Sequence, residues 1–285
     1  MDNRVSVYGG HGFILGEFCR KFPANIIRIE KNEVVPSSPK VLYGISTTDN
    51  YNLFDSVTLD IETNLIHLVE VLDACYKTYG NKFEFNFISS WFVYGTGSTM
   101  DKPFTEDAAC NPKGFYSITK RCAEQLVESY CETFGIKYRI LRLANILGAR
   151  DRKVSKKKNA LQFLIDRLVL NEDIELYDGG NFYRDYMDVR DCVVAIESVI
   201  LSDLFGTINI SNGKSHRFKD LIDHAVFYSD SKGHVWLEKS ESTQFHSVVQ
   251  SKDIFLDGSR LRGLGYIPKY TIKETLEAII DDYKR

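Results

Sequence analysis

Arg4-Val5-Ser6-Val7-Tyr8-Gly9-Gly10-His11-Gly12-Phe13-Ile14-Leu15-Gly16 joins a short apolar run, through three glycines, to a helical pattern that continues to Phe22. Strand, glycine turn and helix in that order form the first half of a βαβ unit. Glycines at the turn let backbone amides approach a pyrophosphate, whose charge the helix N-terminus favours. A second apolar run, Ile26 to Ile29, ends in Glu30, 21 positions after Gly9, where a carboxylate can accept hydrogen bonds from an adenosine ribose. Three glycines alone fit an ordinary tight turn; the βαβ setting and Glu30 favour dinucleotide binding. Gly9, Gly10, His11, Gly12, Phe13, Ile14 and Glu30 are therefore the candidate cofactor-binding residues. Glu30 would repel a ribose 2′-phosphate, so NAD is expected over NADP, a preference that the flanking Arg28 and Lys31 weaken.

Further apolar runs at Val41 to Ile45, Phe83 to Ile88 and Tyr138 to Leu143 have the length of buried parallel strands. Helical stripes separate them: 60–79, with Leu65, Leu68, Val69, Leu72 and Cys75, and 115–134. This alternation predicts an α/β, Rossmann-like doubly wound parallel sheet. After Asn145 the rhythm changes, through a basic loop (Arg150, Arg152, Lys153, Lys156, Lys157, Lys158), a helix near 160–170 and a turn at Asp178-Gly179-Gly180. A helix from Cys192 to Leu201 and a strand at Thr207 to Ile210 return to the first sheet. The expected dinucleotide-binding domain is 1–147 plus 180–212, and a smaller substrate-binding domain takes 148–179 plus 213–285.

Composition narrows the classes. The 285 residues are 44% hydrophobic and 26% charged, ordinary for a globular chain, with 36 basic against 39 acidic side chains for a net charge of −3. Such a balance gives no overall attraction to a polyanion, so no nucleic-acid partner is expected. No run approaches the roughly 18 apolar residues of a membrane span, and the N-terminus has no secretory pattern, which predicts a cytoplasmic protein. Six scattered cysteines without a CxxC pair predict packing thiols. The histidines at 11, 67, 216, 224, 234 and 246 show no metal spacing, so no metal is expected.

Two further motifs carry chemistry. Tyr116-Ser117-Ile118-Thr119-Lys120 puts a phenol and an ammonium one helical turn apart; a nearby cation stabilises a phenolate, although this spacing alone is common. Phe87-Ile88-Ser89-Ser90-Trp91-Phe92-Val93-Tyr94-Gly95 ends a parallel strand, the edge at which open α/β sheets bind ligands. Together with the glycine turn, in this order and spacing, these motifs resemble the extended short-chain dehydrogenase/reductase family, in particular its NAD-dependent nucleotide-sugar epimerase and dehydratase branch. Asp60 to Asn64, Asn111-Pro112, Arg142 to Gly148, Tyr183 to Asp191 and Gly263 to Pro268 extend the likeness nearly end to end.

The resemblance implies roles. Ser90, Tyr116 and Lys120 occupy the catalytic positions: Tyr116 would move the proton of a sugar hydroxyl, Ser90 would hydrogen-bond its oxygen, and Lys120 would hold the nicotinamide ribose and lower the Tyr116 pKa. Asn145 and Arg184 match substrate-contacting positions, with Arg184 suited to a diphosphate; the competing reading of Arg184 is an ion pair with Asp185 or Asp191. Trp91 and Phe92 stand where the dehydratases carry an acidic pair, and Phe92 where other relatives carry a cysteine, so neither dehydration nor epimerisation beside a keto group is expected. Both aromatics are counted with the substrate site. Two other departures concern the cofactor. The third fingerprint glycine falls at Leu15, which leaves close packing of that helix on the sheet in question. Only Lys31 to Lys40 separates two strands, too short for the family's inserted helix, strand and helix.

What these residues can perform needs only a hydride and one proton. The expected enzyme is an epimerase of a nucleoside-diphosphate sugar that oxidises one carbon transiently, C-4 in the relatives. A reductase of a nucleotide-linked keto-sugar uses the same residues, and a non-catalytic dinucleotide sensor is the alternative from another class. A homodimer is expected through helices 60–79 and 115–134, on surface supplied by Leu65, Val69, Leu126, Val127 and Tyr130.

Overall fold

A computed structural model describes residues 4–48, 50–151, 154–155, 158–237 and 253–285. The chain runs β1 (Val5–Tyr8), α1 (Phe13–Lys21), β2 (Ile26–Ile29), β3 (Lys40–Tyr43), two short helical turns α2 (Asn52–Asp55) and α3 (Leu59–Ile61), α4 (His67–Tyr79), β4 (Glu84–Ser90), α5 (Phe115–Phe134) and β5 (Lys137–Leu143). There follow β6 (Asn145–Leu147), α6 (Ala160–Val169), β7 (Ile174–Glu175), β8 (Tyr183–Asp188), α7 (Val189–Ile200), β9 (Gly206–Ile210), β10 (Ser215–Arg217), α8 (Phe218–Ser229), β11 (Val235–Trp236), α9 (Ser259–Gly263) and α10 (Ile272–Tyr283). Arg152, Lys153, Lys156, Lys157 and His246 lie outside the described residues.

Six parallel strands form the main sheet in the order β2-β1-β3-β4-β5-β9, the expected architecture. Alternation along the strands splits the core in two, because successive side chains leave opposite faces. Val7, Leu42 and Leu141 face α1 and α7 in one cluster, whereas Tyr8, Tyr43, Phe85, Phe87 and Ile140 meet α4 and α5 in another. Val127 belongs to that second cluster and is fully buried, so it adds nothing to the surface on which the sequence pattern placed it.

The nine residues between Glu30 and Lys40 hold no helix or strand. They form turns and bends against β1, in which Val34 O accepts from the Tyr8 hydroxyl at 2.7 Å and the Ser37 and Ser38 amides donate to Ser6 Oγ at 3.0 and 2.8 Å. The shortened crossover therefore covers the strand itself, with β2 left as the outer strand.

Leu15 does not loosen α1. It is 4% exposed, and the space it takes is provided by Gly44 beyond β3: a Cβ there would stand 2.4 Å from Leu15 Cδ1. At this contact the small residue is Gly44, just past the end of β3, and the large one is on the helix.

The stripe at 60–79 is not one α-helix. Between α3 and α4 the turn Glu62–Ile66 is π-helical, which adds a residue and points Asn64 inward. There Asn64 Oδ1 accepts from Ser46 Oγ and Thr47 N, both at 2.9 Å, while its amide donates to Thr119 Oγ1 of α5 at 3.0 Å. Beyond the main sheet, β6, β8 and β10 form a second one, and α6, α8 and α10 bury Ile165, Ile222 and Ile279 in a core of their own.

Gly44→Ala drives a methyl group into Leu15 and is expected to lower stability by about 1–3 kcal/mol, the cost of overpacking. Adding Leu15→Ala should recover part of that loss, as urea denaturation of the three variants against the native protein would measure.

Candidate active site

The predicted site residues gather at the carboxyl edge of the main sheet, where parallel strands deliver their loops. Ser90 closes β4, and its Oγ accepts from Phe92 N at 3.3 Å to start the turn Trp91–Tyr94. On α5, Tyr116 and Lys120 both face inward, at 8% and 3% exposure. Lys120 Nζ donates to Ile88 O at 2.7 Å, two residues before Ser90, and lies 4.4 Å from the centre of the Phe87 ring. Burial pushes its ammonium down to about 7, with the Glu124 charge opposing the fall.

Glu124 is one turn further along the same row, fully buried at 0% exposure. Arg142 of β5 grips it with Nε and Nη2 at 2.9 and 2.8 Å, Ser89 Oγ donates at 2.6 Å, and Arg121 Nη1 at 2.7 Å. Arg142 Nη1 also donates to Glu106 O at 3.2 Å, and its guanidinium lies 4.7 Å from the Tyr94 ring centre. Both charges are thus satisfied by partners on β4, β5, α5 and the loop after β4.

The glycine turn forms as expected. Gly9 takes φ +85°, which a side chain rarely tolerates, and Gly12 N returns to Gly9 O at 2.9 Å. Gly12 begins α1 with no side-chain cap of its own, and an anion is favoured at such a helix N-terminus. A Cβ on Gly9 would come within 3.1 Å of the Gly44 backbone. These residues fit a dinucleotide pyrophosphate. Glu30 stands exposed at the end of β2, with His11 Nε2 3.3 Å from its Oε1.

Opposite α5, Arg184 of β8 is buried between rings, its guanidinium 5.3 Å from the centre of Trp91 and 5.0 Å from that of Phe182. Burial pushes it down to about 10, which still leaves it charged at neutral pH. The two carboxylates weighed as its partners have other contacts: Asp185 accepts from the Ser211 hydroxyl, and Asp191 accepts the Lys269 and Tyr270 amides at 3.0 and 2.9 Å, while the charge of Asp253 acts on Arg184 and favours its cation. Asn145 Nδ2 donates to Asp185 O at 3.0 Å. Burial pushes the Asp185 carboxyl up to about 7.

Aromatic contact links the two sides. The rings of Trp91 and Phe92 stack at 3.9 Å, and Phe92 meets the Tyr116 ring edge-on at 6.0 Å. Ser90, Tyr116, Lys120, Trp91, Phe92 and Arg184 thus form one connected set, joined by Asn145 through the backbone of β8. Gly9, Gly10, His11, Gly12, Phe13, Ile14 and Glu30 make a second group at the ends of β1 and β2. Trp91, at 4% exposure, is a packing surface beneath Arg184. Sequence reasoning missed the Glu124 and Arg142 pair, Asn64 as an anchor of α5, and Phe182; the four-residue spacing 116, 120, 124 was the available signal for Glu124. Among the described residues no cluster of His, Cys, Asp and Glu suited to a metal ion occurs, and no helix is long and apolar enough to cross a membrane.

Residues 43–211 match the family described as NAD dependent epimerase/dehydratase. A putative UDP-glucose 4-epimerase of Methanocaldococcus jannaschii is 24% identical over 230 residues, 81% of this chain and 72% of that protein. The GDP-6-deoxy-D-mannose reductase of Pseudomonas aeruginosa is 23% identical over 282 residues, 95% and 83% of the two chains. In structure, the Thermus thermophilus UDP-glucose 4-epimerase, solved with NAD, superposes with a TM-score of 0.82 at 20% identity over 99% of each chain. That likeness establishes a shared fold.

Arg142→Met strips Glu124 of its bidentate partner and leaves Arg121 and Ser89 as its remaining donors, so the expected cost is below the roughly 3–5 kcal/mol of a fully broken buried pair. The double variant Glu124→Gln/Arg142→Met should be more stable than Arg142→Met alone, a non-additivity that a double-mutant cycle by urea denaturation would read.

Proposed function

The chain belongs to the NAD dependent epimerase/dehydratase family, and on that footing we propose that it is an NAD-dependent epimerase of a nucleoside-diphosphate sugar, oxidising one sugar carbon, C-4, transiently. The observation that carries this reading is the row on α5: Lys120 tied to β4 two residues from Ser90, with Tyr116 one turn before it beneath the edge of Phe92. Bound nicotinamide supplies the acceptor and donor of hydride. Tyr116 Oη takes the proton of the sugar hydroxyl as hydride leaves its carbon, and gives it back on return. Ser90 Oγ donates to that oxygen, and Lys120, released from Ile88 O, is the cation that steadies the phenolate and reaches the nicotinamide ribose. Arg184 takes the substrate diphosphate, and Gly9 to Ile14 with Glu30 hold the adenosine half.

Trp91 and Phe92 can neither donate nor accept a proton, which argues against sugar dehydration. The same aromatic pair supports a second reading, reduction of a nucleotide-linked keto-sugar, because a ring wall beside Tyr116 limits rotation of a keto intermediate. The separate core around α6, α8 and α10 supports a substrate-binding part distinct from the dinucleotide-binding part. All six cysteines are free thiols, which supports a cytosolic setting.

Incubation with candidate sugar nucleotides and catalytic NAD separates the two reactions: epimerisation proceeds with no net change in reduced-nicotinamide absorbance, while reduction depletes it. Tyr116→Phe should lower kcat by about 10²–10⁴-fold with dinucleotide affinity retained; unchanged turnover would remove Tyr116 from the chemistry. For assembly, Ile66, Val69, Leu126 and Phe134 leave apolar surface exposed on α5 and the α4 segment, which supports a homodimer through these helices. Light scattering should give twice the 32.7 kDa chain mass for the native protein and the single mass for Leu126→Asp.

A further inference from the structure

The helix that carries Tyr116 starts without a cap of its own. Gly114, which opens α5, has no side chain to offer, and first-turn amides find no acceptor within a helix. The amide of Ser117, third in that turn, is taken up from outside. Asn50, in the loop between β3 and α2, accepts it on Oδ1 at 3.3 Å and accepts the Ser117 hydroxyl on the same oxygen at 3.3 Å. Asn50 is 6% exposed and Ser117 fully buried. Two residues on, Thr119 Oγ1 donates to Tyr116 O at 3.0 Å and accepts from Asn64. Two asparagines from the segment 50–64 thus hold α5 at the residues just after Tyr116.

We propose that Asn50 is a positioning residue for Tyr116, capping α5 from a distant segment with an uncharged oxygen. The residue type carries the argument. Asn and Asp cap helices about equally well, and at a helix N-terminus the charge of Asp adds stability. Asn50 gives that gain up and leaves the positive end of α5 unneutralised. Helical side chains tilt toward the N-terminus, so the Tyr116 ring leans into this field, which favours a phenolate. Among the described residues, the charged groups about this end of α5 are Lys113 just before it, Lys120 and Glu124 further along it, Asp60 on α3, whose Oδ1 accepts from Asn52 at 2.9 Å, and Arg184 beyond the stacked Trp91 and Phe92. The inference rests on the reading of Tyr116 as the proton carrier.

Two measurements on the full chain test it without a substrate. Amide hydrogen exchange reads the cap: Asn50→Ala should speed exchange at Ser117 roughly fivefold, the equivalent of one lost cap, and Asn50→Asp should restore the native rate. Ultraviolet absorbance of tyrosinate, read for each protein against its Tyr116→Phe counterpart, follows Tyr116 alone. In Asn50→Asp its ionisation should move upward by about half a pH unit. Unchanged exchange at Ser117 in Asn50→Ala would overturn the cap. Native exchange in Asn50→Asp with no movement of the Tyr116 ionisation would leave Asn50 a structural residue and overturn its role toward Tyr116. Native turnover in Tyr116→Phe would instead overturn the proton-carrier reading, and the proposal with it, while the exchange result stands.

Discussion

Glu124 and Arg142 are both withdrawn from water, yet neither lacks a partner: two guanidinium nitrogens, a serine hydroxyl and a second arginine share one carboxylate. A pair of this kind adds little net stability, since desolvation consumes most of the attraction. What it fixes is geometry. Glu124 is on α5, Ser89 on β4 and Arg142 on β5, so the pair sets the rotation of α5 against two neighbouring strands. Lys120 and Tyr116 lie on the same helical row, and Lys120 meets β4 at Ile88 only while that rotation holds. Asn64 secures the start of the helix from the other side, through Thr119.

Strand, turn and helix at residues 4–21 were legible in the sequence because a short apolar run and a helical pattern meet there at glycines, and local signals of that kind need no knowledge of the partner. The parallel sheet followed from their repetition. Less was legible where a partner decides the structure. The small sheet of β6, β8 and β10 is made of strands as short as three residues, whose pairing depends on elements far along the chain. The break before α4 leaves the apolar stripe intact while turning Asn64 inward, so periodicity alone reports one helix. At the site, Ser90, Tyr116 and Lys120 stand in motifs of fixed spacing and could be named. Glu124 and Arg142 are 18 residues apart on different elements, and nothing in either segment announces the other.

The aromatic connection shows how the two halves of the site depend on each other. Arg184 belongs to the small sheet and Tyr116 to α5, which covers the main one, and Trp91 and Phe92 lie between them as a stacked pair. A guanidinium over an indole keeps its charge while giving up water, so the cation of Arg184 is held in place by the ring of Trp91.

Leu15 and Gly44 bear on the history of the chain. Close approach of α1 to the sheet requires one small residue at their contact, and either surface can provide it. The requirement therefore belongs to a contact between two segments, and a glycine fingerprint written for one segment records only one of its solutions. A lineage passing from one solution to the other is safest with both positions small: two glycines leave a gap that a marginally stable protein can bear, whereas two large residues collide. Gly44 is thus the partner that allows Leu15, and neither position can be inherited independently of the other.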